Sequence, residues 1–142
     1  IARDGEGANC LLEVTVTGAK TESDALKIAR SVTNSALVKT AIHGCDPNWG
    51  RIISAAGNAG VELDLIKVDL YIGDYQILNK GVITCFTKDE VINYMRSKIK
   101  GLTLPDETIK IIINLNIGNA QAQCWGCDLS KEYIEINSEY TT

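Results

Sequence analysis

Residues 108–118 have the sequence TIKIIINLNIG, an apolar run rich in β-branched side chains, which predicts a buried strand. A second strand is predicted over residues 10–17, where apolar and polar residues alternate from Leu12 to Thr17. A strand with this alternation buries one face and leaves the other more polar. We therefore expect a sheet with one face packed against a core.

Between these predicted strands, the sequence indicates helices and shorter strands. The predicted helices cover residues 22–41 with a break near residues 33–35, a short segment within residues 48–60, and residues 88–101. Residues 61–86 indicate β-structure with turns at 73–74 and 79–81. A strand, two helices, three strands, a helix and a strand, then a C-terminal segment, predict the α+β class.

The composition is that of a globular chain of one domain or two small lobes. The 142 residues are 45% hydrophobic and 23% charged, with a formal net charge of −4 and scattered lysines and arginines. This pattern carries no electrostatic footprint for nucleic acid or an anionic membrane, and no apolar stretch approaches a membrane span. Five irregularly spaced cysteines are more typical of reduced intracellular thiols than of secreted disulfides, so the cytoplasm is the expected location.

Two of these cysteines, Cys124 and Cys127, form a C-x-x-C motif that allows several interpretations. A thiol-disulfide oxidoreductase needs its first thiol at a helix N-terminus and a scaffold downstream, whereas 15 residues follow Cys127 (128–142). A zinc site needs two further ligands, and His43 and Cys45 offer an unusual spacing for them. We therefore favour structural cysteines and expect no metal.

Two other segments carry candidate chemistry. In HGCDPNWGR, residues 43–51, the plain interpretation is a helix start with Asp46 as the cap and Trp49 as a core anchor. In RDGEGA, residues 3–8, Glu6 lies between two glycines that allow close approach of a ligand. Its carboxylate could bind an ammonium group, while an ordinary charged turn is the alternative.

Four motifs in this order, RDGEGA (3–8), SALVKTAIHGCDPNWGRI (35–52), CWGCDLS (124–130) and INSEYTT (136–142), resemble the β-chain of the ornithine acetyltransferase family. These enzymes are also called arginine-biosynthesis bifunctional proteins or glutamate N-acetyltransferases. The resemblance covers all 142 residues. It implies part of a layered αββα-type catalytic core in residues 1–60, a small C-terminal α/β lobe in 61–120, and a segment in 121–142 that returns to the active site.

The resemblance also implies an activity. Family members cleave one precursor into α- and β-chains, and the new N-terminal threonine of the β-chain is the nucleophile, with its amino group as base. They move acetyl from N-acetylornithine to glutamate through an acetyl-threonine intermediate, without a metal or cofactor, and some also accept acetyl-CoA. The implied partner is the α-chain of the same precursor in an α2β2 heterotetramer, in the cytoplasm or an organelle matrix.

Three residues match the binding positions of the family. The match assigns Glu6 to the ammonium groups of the substrates, and Asn137 and Thr142 to a C-terminal pair that bonds a substrate carboxylate or amide. The chain starts with Ile1 rather than threonine, so we expect no catalytic nucleophile in it and no activity alone. The alternatives are a thiol-disulfide oxidoreductase and a non-catalytic amino-acid-binding domain, which would bind an amino acid unaided.

Overall fold

The predicted run at residues 108–118 supplies the strand around which the sheet is built. The structure is a computed structural model and describes residues 10–99 and 108–127. Its elements are β1 (Leu11–Ala19), α1 (Glu22–Thr33), α2 (Ala36–His43), α3 (Trp49–Gly57), a 3-10 turn (Leu65–Lys67), β2 (Asp69–Ile72), β3 (Tyr75–Asn79), β4 (Val82–Ile83), α4 (Lys88–Ile99), β5 (Thr108–Asn114) and β6 (Ala120–Cys127). Helices and strands are mixed along the chain around one sheet, which confirms the α+β class.

The six strands form a single sheet in the order β4-β3-β2-β5-β1-β6. β5 runs parallel to β1, with Leu12 opposite Ile109 and Val16 opposite Ile113. β2 lies on the other side of β5 and is antiparallel to it. The central position of β5 explains its β-branched composition, because a strand with neighbours on both sides and a core against one face favours such side chains.

One face of the sheet forms the core. Alternate side chains of β1, β2 and β5 are fully buried, and α1 packs against β1 and β6 on that face. Val91 and Met95 of α4 are four residues apart, and therefore on one face of the helix, and both are fully buried in the same core. Each large aliphatic side chain removed from water in this way contributes about 1.5–3 kcal/mol. The core therefore extends across the sheet from α1 to α4.

The helix boundaries follow the capping chemistry of the sequence. The Thr21 hydroxyl accepts a hydrogen bond from the Asp24 N–H and starts α1. The predicted break lies at Asn34, and the Ser35 hydroxyl then caps α2 by accepting from the Val38 N–H. At α3 the prediction was wrong by two residues: Asn48, not Asp46, accepts from the Arg51 N–H, because the Asp46 carboxylate is turned to the Asn48 amide instead.

The C-terminal segment contains a strand that the sequence did not predict. β6 pairs antiparallel with β1, so that Val14 lies opposite Cys124 and Leu11 opposite Cys127. Its sequence, AQAQCWGC, is short of β-branched residues, and its strand conformation depends on the ladder with β1.

The predicted division of the chain at residues 60 and 120 stays a prediction, although β1 and β5, from the first two predicted segments, are direct neighbours. No helix within the described ranges is long and apolar enough to cross a membrane.

Candidate functional site

The three predicted binding residues, Glu6, Asn137 and Thr142, lie outside the described residues. The structure does show where the chain leads toward them. Leu11 of β1 pairs with Thr108 of β5 and with Cys127 of β6. We call this end of the sheet, marked by Leu11, Thr108 and Cys127, the cavity end.

Chain connectivity limits how far the predicted residues can lie from this end. Glu6 precedes Leu11 by five residues, which extend at most about 18 Å. Asn137 follows Cys127 by ten residues, which extend at most about 36 Å. The two parts of the predicted binding set, separated by more than a hundred residues in sequence, are therefore attached to neighbouring strands at the same end.

A cavity of about 650 Å³ lies at the cavity end. It is on the sheet face away from the buried side chains of β1 and β5, because Glu13 and Lys110 occupy the alternate, less buried positions. Its lining combines two acidic and two basic side chains with an aromatic ring: Glu13, Gly73, Asp74, Tyr94, Lys98, Thr108, Lys110 and Ile112. The volume is in the range of small-molecule sites.

Hydrogen bonds fix the walls of this cavity. Glu13 Oε1 accepts a hydrogen bond from Trp125 Nε1 at 3.1 Å, which joins β1 to β6. The Tyr94 hydroxyl accepts one from the backbone N–H of Lys110 at 3.1 Å, which joins α4 to β5. The Gly73 N–H donates to the Lys110 carbonyl at 2.7 Å. The rim of the cavity is therefore held by four separate elements and the β2–β3 turn.

Several contacts hold the side chain of Tyr94 in the lining of the cavity. Burial raises its pKa, and the negative charges of Asp74 and Glu13 add to that effect, while the hydrogen bond from the Lys110 N–H opposes it. The phenol therefore stays protonated at neutral pH and keeps a proton to donate. Lys98 Nζ lies 5.6 Å from the centroid of the same ring, within the range of a cation–π contact.

Gly73 makes room for this ring. Its φ of +58° favours glycine, and a Cβ at this position would lie 2.6–2.9 Å from three ring atoms of Tyr94. The sequence predicted a turn at residues 73–74 but gave no sign of what the turn packs against. Sequence reasoning missed the cavity residues altogether, because alternation places Glu13 and Lys110 on one face without revealing their neighbours.

The C-x-x-C cysteines do not have the geometry of a redox pair. Both lie on β6 rather than at a helix N-terminus, and a spacing of three residues on a strand places Cys124 and Cys127 on opposite faces. Burial raises the pKa of the Cys124 thiol, although Arg30 partly offsets it, whereas a reactive thiol has a lowered pKa. The thiol-disulfide oxidoreductase alternative is therefore not supported.

The DPNWGR segment, residues 46–51, helps to hold α3 against α2. Arg51 Nη1 donates to the Leu37 carbonyl at 3.1 Å and so ties α3 to α2. Trp49 is 37% exposed, so the prediction that it anchors the core was wrong. It lines a separate cavity of about 450 Å³ with Phe86.

No group of three metal-ligating side chains occurs within residues 10–99 and 108–127.

Comparisons with known proteins agree with one another. A family model described as the ArgJ family matches residues 1–142. An arginine biosynthesis bifunctional protein ArgJ from Prochlorococcus marinus subsp. pastoris is 61% identical over 142 residues, covering 100% of this chain and 35% of that protein. A chloroplastic ArgJ from Citrullus lanatus is 49% identical over 142 residues, covering 100% of this chain and 30% of that protein.

A solved structure shows the same fold. The crystal structure of an arginine biosynthesis bifunctional protein ArgJ from Bacillus halodurans superposes with a TM-score of 0.89 and 42% identity. The match covers 98% of this chain and 62% of that one. The present chain spans about a third of the length of the curated relatives it matches.

Proposed function

The chain belongs to the ArgJ family, and from that membership we propose that it is part of an acetyltransferase that moves acetyl from N-acetylornithine to glutamate in arginine biosynthesis. The names of its relatives support the pathway. One observation supports the proposal for this chain in particular: β1, β5 and β6 each have one end at the cavity end of the sheet. The chain leads from these strand ends to Glu6 and Asn137, and a cavity of substrate size lies at the same end of the sheet.

The proposed reaction is a two-step acyl transfer. In the first step a threonine hydroxyl attacks the acetyl carbonyl of N-acetylornithine, the amide bond breaks, and the released amine takes a proton. In the second step the amine of glutamate attacks the acetyl-threonine ester and restores the hydroxyl. We assign the threonine to a part of the protein outside these 142 residues, which supply substrate contacts and scaffold. Neither step requires a metal or cofactor, and acetyl-CoA is a second donor in this proposal.

The proposed partner is the α-chain of the same precursor, in an α2β2 assembly. The exposed face of β6 supports a partner, because Gln121, Gln123 and Trp125 all point away from the core. Trp125 is 52% exposed, and tryptophan is enriched where protein surfaces meet. The proposed location is the cytoplasm or, as the name of the Citrullus lanatus relative suggests for plants, an organelle.

The test uses the whole-length protein, incubated with N-acetylornithine and isotopically labelled glutamate, with labelled N-acetylglutamate measured by mass spectrometry. We expect transfer by the unsubstituted protein. The Glu6→Gln variant should lose about 100-fold in kcat/KM, because a charge-assisted contact to an ammonium group is worth up to about 3 kcal/mol.

The matched control is Glu62→Gln, since Glu62 lines a different cavity. It should retain activity within about twofold. An unsubstituted protein that transfers no acetyl, or a Glu6→Gln variant as active as Glu62→Gln, would contradict the proposal. Tight amino-acid binding by residues 1–142 alone, without turnover in the whole protein, would instead support a non-catalytic binding domain.

A further inference from the structure

The proposed reaction makes an unusual demand on one site. Both amino acids present the same kind of α-carbon, bearing a carboxylate and the nitrogen that gives or receives acetyl. Their side chains end differently, however, in an ammonium group for the ornithine derivative and in a carboxylate for glutamate. A pocket with charges of a single sign would bind one side chain and repel the other by several kcal/mol.

The cavity at the cavity end carries both signs. Glu13 and Asp74 contribute carboxylates, while Lys98 and Lys110 contribute ammonium groups. Glu13 and Lys110 are direct neighbours across β1 and β5, yet no ion pair joins them among the described residues. Glu13 is bonded to Trp125 instead. Charges of opposite sign therefore line one space, and Glu13 and Lys110 do not form an ion pair across it.

We propose that this cavity receives the side-chain ends of both substrates in turn. Lys98 and Lys110 bind the side-chain carboxylate of glutamate. Asp74 and Glu13 supply carboxylates to the side-chain ammonium of the ornithine derivative, in addition to the contact that the proposed function gives to Glu6. The inference rests on the proposed function and adds to it the residues that determine specificity.

The local geometry favours this division of roles. Trp125 holds Glu13 in place, so one carboxylate is fixed on the floor of the cavity. Asp74 lies on the exposed β2–β3 turn and Lys98 on the last turn of α4, so both can approach a ligand from the rim. A lysine ammonium on four flexible carbons can move toward a carboxylate or back into water. The same cavity can therefore adapt to either side chain.

The chain also provides an internal control. A second cavity, of about 420 Å³, is lined by Lys20, Lys67, Glu62 and Asp64, which repeat the same mixture of charges. It lies beside the opposite end of β1, roughly 26 Å away at 3.3 Å per strand residue. It is thus far from the strand ends that lead to Glu6 and Asn137.

The test is the substrate specificity of the assembled whole-length protein. In a ping-pong reaction, kcat/KM for each substrate reports its own half-reaction. The Lys98→Met and Lys110→Met variants should each lower kcat/KM for glutamate roughly tenfold, as expected for loss of a partly solvated charged hydrogen bond, and change that for N-acetylornithine by less than about twofold. Asp74→Asn should lower kcat/KM for N-acetylornithine roughly tenfold and change that for glutamate by less than about twofold. Lys67→Met and Glu62→Gln, in the second cavity, should leave kcat/KM unchanged for both substrates.

Each outcome decides the inference. Lysine variants that lower both values equally, or neither, overturn it while leaving the proposed function intact. An unsubstituted protein without acetyl transfer overturns the proposed function itself. Lys110→Arg, which keeps the charge, should retain most of the glutamate value. Should Lys110→Met fail to fold, Lys98→Met, at the end of α4, gives the result alone.

Discussion

Two polar clusters, one at each end of the sheet, use the same kinds of residue in opposite ways. At the end away from the first cavity, next to the second one, Asp69, Lys80 and Asn116 form a bonded cluster that we call the closed end. Asp69 is 7% exposed, and its carboxylate accepts three hydrogen bonds. They come from the Lys80 N–H at 2.8 Å, Lys80 Nζ at 3.2 Å and the Asn116 amide at 3.0 Å. At the cavity end, Asp74, Lys98 and Lys110 face open space.

This difference separates structural charges from charges available to a ligand. A buried carboxylate is tolerated where several hydrogen-bond donors surround it. Asn116 also donates to the Lys67 carbonyl at 2.7 Å, so the closed end joins the 3-10 turn to β2 and β5. The cavity end makes no comparable bonds among its charged groups within the described residues, and its charges contribute little to folding.

The largest expected effect is at Gly18, in the closed end. Its φ is +67°, and an added Cβ would contact Asn114 Oδ1 and lie 2.7 Å from the Asn116 backbone nitrogen. We expect Gly18→Ala to destabilise the protein by about 4 kcal/mol, combining the clash with left-handed strain.

Gly60→Ala is the matched control, because its φ is +77° and nothing lies within 4 Å of the added Cβ. It should cost about 1–2 kcal/mol, the left-handed strain alone. Thermal unfolding midpoints of the two whole-length variants measure the difference. Equal midpoints would show that the closed end is not tightly packed, and would contradict the proposed difference between the two ends.

The next effect is at Asp69. Burial by itself would raise the pKa of its carboxyl, but the hydrogen bonds from Lys80 and Asn116 and the charge of Lys80 outweigh burial and hold the pKa below its ordinary value. A lowered folded-state pKa means that Asp69 stabilises the fold above its unfolded pKa of about 3.9 and loses that contribution as pH falls through the folded value. We expect Asp69→Asn to cost about 2 kcal/mol near neutral pH.

The difference between the original protein and Asp69→Asn should therefore narrow as the pH falls below about 4. Unfolding midpoints between pH 7 and pH 2 test this. Asp74→Asn, at the cavity end, should change stability by no more than about 0.5 kcal/mol at any of these pH values. A loss at Asp74 as large as that at Asp69 would contradict the distinction between the two ends.

The smallest effect is expected at the cysteines near the cavity end. Replacing Cys124 and Cys127 together by serine should leave acetyl transfer within about twofold of the original value, because neither thiol has the position of a nucleophile. Burial also raises the pKa of Cys124, so iodoacetamide at neutral pH should modify the exposed Cys85 first. A tenfold loss of turnover in the double variant would reopen the thiol hypothesis.

Local patterns in the sequence were sufficient for most of the fold. Alternation at residues 10–17 and the apolar run from residue 108 predicted β1 and β5, because burial of one strand face leaves a period of two. The capping pattern at Thr21 predicted the start of α1, and a break was predicted near residues 33–35, where Ser35 caps α2 in the structure. β6 was missed because its conformation depends on pairing with β1, more than a hundred residues away in sequence.

The candidate site also has one part that the sequence predicted and another that only the tertiary structure revealed. Motifs alone predicted the family and named Glu6, Asn137 and Thr142, since these short segments are specific in themselves. Tertiary structure alone brought the strand ends that lead to Glu6 and Asn137 together, and placed Tyr94 over Gly73 beside Glu13 and Lys110. A sequence records which chemical groups a chain carries along its length. Which of them share a cavity is decided by strand order and register, and these result from long-range pairing and burial over the whole sheet.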